Sequence, residues 1–98
     1  MKNTKKPKQP AFFVDAQKMH KKYPKTFAIP AKKELAKLKI GDLVKVATSG
    51  ERFWTKITKI NGGKIFAKVD NQLINTDSHG LELFDLINFE KKNIHSIY

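Results

Sequence analysis

The sequence predicts a mainly β chain with short N-terminal helices, an α+β arrangement built around a small antiparallel barrel of five or six strands. Three observations lead there. From Ile40 onward, short runs with period-two hydrophobicity follow one another closely, separated by turn residues. Asn61-Gly62-Gly63 sits between two such runs, and a tight reversal needs the positive φ that glycine adopts without strain. Before Ile40 the pattern changes to lysine-rich segments with apolar residues near helical spacing, interrupted by prolines.

Taken in order, residues 1–10, MKNTKKPKQP, hold four lysines and two prolines with no apolar residue after Met1, and are expected to be a disordered basic tail. Residues 11–39 are expected to form a basic, partly helical extension. Within it Asp15 suits the N-cap of a helix from Ala16 to Tyr23 that Pro24 ends, with Phe12, Phe13, Ala16, Met19 and Tyr23 on one face. An extended linker, residues 25–29, leads to Pro30 and a second helix from Ala31 to Lys39 carrying Leu35 and Leu38. Residues 40–98 are the barrel. Its expected strands are GDLVKVAT, GERFWTKITKI, KIFAKVD, NQLINT, DLINF and IHSIY, with Ser78-His79-Gly80 as a turn. Strands so short, closing on themselves with so few residues, most simply make an SH3-like barrel. An OB-type barrel needs longer strands and a helix for which residues 70–76 leave little room.

Ninety-eight residues supply one small core, too few for a deep substrate cavity with a lid. No cysteine means no disulfide framework, no thiolate nucleophile and no Cys-based zinc site, which fits a reducing compartment. The N-terminus lacks the apolar core of a signal peptide, and no stretch reaches the ~18 apolar residues of a membrane span. The chain therefore reads as soluble and cytoplasmic, with no membrane partner.

Charge is the most informative global property. The net +11 is concentrated in residues 1–39, where twelve lysines face only Asp15 and Glu34, a balance of +10. Residues 40–98 carry eight basic against seven acidic side chains, and residues 69–90 have five acids and no base. Such a layout favours a polyanion at the N-terminal portion. The plainer alternative is that the lysines keep a small protein in solution.

The stretch from Gly50 to Gly63 contains the chain's only arginine and only tryptophan. Phe53 shares its strand face with Thr55 and Ile57, whereas Trp54 shares its own with Arg52, Lys56 and Thr58. Phe53 should therefore face the core and Trp54 the outside. Phe66, with Lys64 and Lys68, is expected on the same outer face, and aromatics interleaved with cations form a stacking platform for unpaired bases. The N-terminal helices must also bury their apolar faces, and this outer face is their expected seat, which would make Trp54 a covered structural ring.

Catalytic and metal chemistry find no support. His20, His79 and His95 have no partners at ligand spacing, and His95 reads as a surface or satisfied histidine. Asp77-Ser78-His79 names a triad, but consecutive side chains cannot adopt its geometry. No glycine loop cradles a phosphate, so neither an enzyme nor a cofactor is expected.

Residues 15–98 resemble a bacterial and phage domain family of unknown function with the pattern GDxVK…GERxW…Dx(I/V)xF…I. Gly41, Asp42, Val44, Lys45, Glu51, Arg52, Trp54, Ile57, Asn71, Leu73, Asp85, Ile87, Phe89 and Ile94 occupy its positions. The chain departs from it at Leu83-Phe84, where the family usually has glycine before the aspartate. More distantly, GDLVKV followed by an aromatic strand resembles Tudor-like and other SH3-like barrels. That resemblance implies binding of nucleic acid, or of methylated residues in an aromatic cage to which Trp54, Phe66 and Phe84 would contribute.

The expected function is thus a non-enzymatic binding module that associates with nucleic acid. The candidate contacts are Lys2, Lys5, Lys6, Lys8, Lys18, Lys21, Lys22, Lys25, Lys32, Lys33, Arg52, Trp54 and Lys56. The alternative is an accessory factor, of phage or mobile-element origin, that docks on a host protein through the acidic stretch 77–90 or the Trp54 face.

Overall fold

Residues 13–48, 50–74 and 80–98 are described by the computed structural model. Two short helices, α1 (Ala16–Lys22) and α2 (Lys32–Ala36), precede five strands: β1 (Leu43–Thr48), β2 (Glu51–Asn61), β3 (Lys64–Val69), β4 (Leu86–Glu90) and β5 (Ser96–Ile97). A 3-10 turn, η1 (Lys91–Asn93), links the last two. The expected tail, residues 1–10, lies outside the described residues.

Asp15 caps α1 as its sequence suggests: its Oδ1 accepts from the Lys18 amide at 3.0 Å, satisfying a donor that the helix leaves free. The second helix is shorter than expected. Glu34 Oε1 accepts from the Ala31 amide at 2.9 Å at its start, and the helix ends at Ala36.

All pairings are antiparallel, in the order β4-β3-β2-β1-β5. The hairpin closes where Asn61-Gly62-Gly63 places it, with Asn61 opposite Lys64 and Gly62 at φ 62. Gly41 at φ 97 and Asp42 bend the chain into β1, and both bond Ile57 of β2 through their backbones. A bulge at Thr58 shifts the β2–β3 register between Ile57 and Lys59.

Two expectations fail. The closed barrel is an open sheet, since among the described residues no ladder joins β4 to β5. The reason lies in what fills the core. Val44, Val46, Phe53, Ile57, Ile65, Ala67, Val69, Ile87 and Phe89 make one apolar sheet face, and Leu35 joins them, with Phe13 and Leu38 packed alongside. The extension covers this face together with Leu73, Leu81 and Ile94, so the sheet need not curl onto itself, and two-residue β5 offers little edge to close with. Phe13 meets Phe89 edge-on at 5.9 Å, and Asn93 Nδ2 donates to the Val14 carbonyl at 3.0 Å. The Val14 amide in turn donates to the Ala47 carbonyl at 2.9 Å.

The second failure is NQLINT, which makes no strand over residues 71–74; residues 75 and 76 lie outside the described set. Side chains replace the ladder there. The Trp54 amide donates to Asn71 Oδ1 at 2.6 Å, and the Ile74 amide donates to Glu51 Oε2 at 2.8 Å. A side-chain acceptor satisfies a backbone donor as well as a carbonyl does, without imposing strand geometry.

The position before Asp85, where the resemblance expects glycine, holds Phe84 at φ 70 and 63% exposed. Its amide donates to the Val69 carbonyl at 2.9 Å, and the Glu82 amide donates to Asp85 Oδ2 at 2.8 Å. The turn needs a left-handed residue here, at a cost of about 1–2 kcal/mol for a side chain with a Cβ.

Candidate nucleic-acid interface

Alternation along β2 buries Phe53, Thr55 and Ile57 and turns Arg52, Trp54 and Lys56 away from the core, as the sequence suggests. The pairing of β1 with β2 sets Lys45 opposite Trp54. Lys45 Nζ lies 4.8 Å from the Trp54 ring, within cation–π range. Beyond β5, the Tyr98 amide donates to the Leu43 carbonyl at 2.9 Å. That bond brings the Tyr98 ring edge-on to Trp54 at 5.8 Å, while Tyr98 itself is 89% exposed.

The helices do not cover Trp54, which corrects the expectation that they would. Leu35 of α2, with Phe13 and Leu38 beside the helices, lies with the Phe53 side of the sheet, and Trp54 is half-buried under Lys45 and Tyr98 instead. The expected platform shared by Trp54 and Phe66 is also divided. Lys56 pairs with Lys68 between the two positions, and Phe66 carries its own cation, Lys59 Nζ, at 5.6 Å.

A second cluster adjoins the first. The segment after α1 is fixed by the Phe27 amide, which donates to the Tyr23 carbonyl at 2.9 Å, and by His20 Nδ1, which meets the Phe27 carbonyl at 2.6 Å. Phe27 then stacks at a tilt on His95, 4.8 Å between centroids, and the Arg52 guanidinium lies 5.6 Å from the Phe27 ring. Between these groups is a cavity of about 210 Å³ lined by Thr26, Phe27, Ala28, Lys45, Arg52, His95 and Ser96. Among the described residues no carboxylate lines it.

His95 corrects a further expectation. It is buried, at 6% exposure, with its amide donating to the Lys45 carbonyl at 2.8 Å, and among the described residues Nε2 has no hydrogen-bond partner. Burial first, and then the charges of Arg52 and Lys45, push its pKa below the ordinary 6.5. The imidazole is therefore neutral at neutral pH.

The other expected contacts are dispersed. Lys18, Lys21, Lys22, Lys25, Lys32 and Lys33 are all exposed. Lys18, Lys21 and Lys22 border a groove with Phe13 and Met19, and Lys21 and Lys32 border another with Leu35. Lys2, Lys5, Lys6 and Lys8, like Asp77-Ser78-His79, lie outside the described residues. Sequence reasoning missed Lys45, Tyr98, Phe27 and His95 as site residues. Lys45 was accessible from the alternation of β1; the other three depend on long-range placement.

Among the described residues no three His, Asp or Glu side chains gather as a metal site, and no helix is long and apolar enough to cross a membrane. No family model, curated protein or solved structure matches the chain.

Proposed function

We propose that this chain is a non-enzymatic, cytoplasmic binding module that associates with single-stranded nucleic acid, largely without regard to sequence. The observation that carries the reading is the outward cluster of Lys45, Trp54 and Tyr98, flanked by Arg52 and by the Lys56–Lys68 pair. Tyr98 and Trp54 offer ring surface for bases, and the cations offer partners for the phosphates between them. The lysines of α1 and α2 add a general attraction for a polyanion. An SH3-like relationship for this five-stranded antiparallel sheet, and membership of the bacterial and phage family, belong to the same proposal.

Fluorescence anisotropy with a labelled oligothymidylate, repeated across salt concentrations, tests it. Each phosphate contact contributes about 0.7 to the log–log salt slope for a single strand. Trp54→Ala should weaken binding by about 1–3 kcal/mol, the usual value of one stacked base. Absence of binding at low salt, or full affinity in W54A, overturns the reading. A protein partner is the second reading, favoured by Phe84 and Ile74, which are 63% and 88% exposed. A complex that survives both nuclease and high salt would support it.

A further inference from the structure

We infer that the half-open cavity lined by residues 26–28, Lys45, Arg52 and His95 is a phosphate-binding pocket. In the proposed complex it takes one backbone phosphate of the strand whose bases stack on Trp54 and Tyr98. The inference rests on the nucleic-acid reading for the owner of that phosphate, though not for the chemistry of the pocket.

Four features carry it. The lining is rich in donors: the Lys45 ammonium, the Arg52 guanidinium, the imidazole of His95 and the hydroxyls of Thr26 and Ser96. A backbone phosphate presents two charged and two ester oxygens in a tetrahedron, so donors converging from several sides each find an acceptor, whereas a carboxylate's acceptors lie in one plane. With no carboxylate in the lining among the described residues, the two cations facing the cavity disfavour a metal ion or an ammonium ligand. Arg52 Cζ lies 5.6 Å from the Phe27 centroid, a neighbour that occupies none of the guanidinium N–H groups and leaves them free for a phosphate.

The fourth feature is His95. A buried ring nitrogen without a partner is uncommon in a folded protein, and each instance calls for an explanation. An oxyanion in the adjoining cavity supplies one once the ring turns toward it, since Nε2 is closed off from solvent as the ring stands. The volume of about 210 Å³ admits a phosphate group together with water.

The charged groups around His95 define what its titration reports. Lys45 and Arg52 face it from β1 and β2. Glu34 of α2 borders the adjoining cavity that His95 and Ser96 also line, and His20 reaches the same segment through the Phe27 carbonyl. Among these, an arriving phosphate adds negative charge on the side now occupied by two cations.

The test is an NMR titration of the full chain with inorganic phosphate, at constant ionic strength in a phosphate-free buffer. The expected result is a saturable shift of the His95 ring and Ser96 amide signals, together with a rise in the His95 pKa at saturation. Lys45→Gln and Arg52→Gln should each weaken phosphate roughly tenfold, as loss of a charge-assisted hydrogen bond does. Lys37→Gln, on the exposed end of α2, should leave it unchanged. The titration of the unaltered chain decides the matter even if a variant misfolds. Absence of a saturable shift, or a shift equally strong in R52Q, overturns the pocket.

A parallel titration with oligothymidylate separates the two readings. Oligonucleotide binding without phosphate binding refutes the pocket and leaves the stacking face standing. Phosphate binding without oligonucleotide binding supports the pocket, refutes nucleic acid as its source and points to a free phosphate compound.

Discussion

Asn93 reaches across 79 positions of sequence to hold the N-terminal extension to the strands, and its removal is a demanding test of the architecture. Its side chain is buried in η1. Oδ1 accepts from the Glu90 amide at 2.9 Å, and Nδ2 donates to the Val14 carbonyl at 3.0 Å, with Phe13 O at the outer limit of 3.5 Å. Asn93→Ala removes both sound bonds and leaves a part-buried amide and carbonyl to find other partners. At about 1 kcal/mol for each bond lost, and somewhat more for each group left unsatisfied, the cost is about 2–3 kcal/mol. For a domain of this size that lowers the melting temperature by roughly 10 °C. Asn93→Asp should cost more than Ala, because a carboxylate would then face the Val14 carbonyl.

Urea and thermal melts followed by circular dichroism measure the loss, and amide exchange locates it. The Val14 amide, bonded to Ala47 O, should exchange faster in N93A, because the extension loosens at that point. Native Trp54 emission should not change, since that ring lies on the opposite face of the sheet. A loss under about 0.5 kcal/mol, the range of ordinary surface substitutions, would refute the reasoning. So would unaltered exchange at Val14.

Two further predictions concern Phe84 and His95. Phe84→Gly should exceed Phe84→Ala in stability by about 1 kcal/mol, because alanine keeps the Cβ that φ 70 strains while glycine does not. Urea midpoints that rank the two the other way would show that the turn does not hold that conformation in solution. For His95, the unfolded chain takes a proton near pH 6.5 whereas the folded chain resists it. The stability this confers is complete above that pH and declines as the pH falls from there to the lowered folded value. His95→Gln should flatten this part of the stability–pH curve, and a curve of unchanged shape would remove His95 as its cause.

Local chemistry accounts for what the sequence made legible. Asp15 as a helix cap, Gly62-Gly63 as a reversal, and the inward set of Phe53 and Ile57 follow from interactions spanning a few residues, or from the two-residue period of a strand. Phe84 at φ 70, by contrast, carries no local signal for a left-handed residue, since an aromatic side chain is not one that a turn of this kind favours. NQLINT misled because its composition suits a strand, while the acceptors that satisfied the neighbouring backbone were the Asn71 and Glu51 side chains. Composition does not distinguish those two ways of pairing a backbone donor.

The sequence by itself determined the strand periodicity, the outward direction of Trp54 and the concentration of positive charge before Ile40. Tertiary structure alone decided where the extension packs, because an apolar helix face fits either side of a sheet until the competing residues are placed. It chose the Phe53 side and left Trp54 to Lys45 and Tyr98. It also brought Phe27, Arg52 and His95 together around one cavity, from an interhelical segment, a central strand and the residue before the last strand. No local rule joins those three positions; their meeting follows from the short pairing of β5 with β1, which sets the end of the chain beside Lys45.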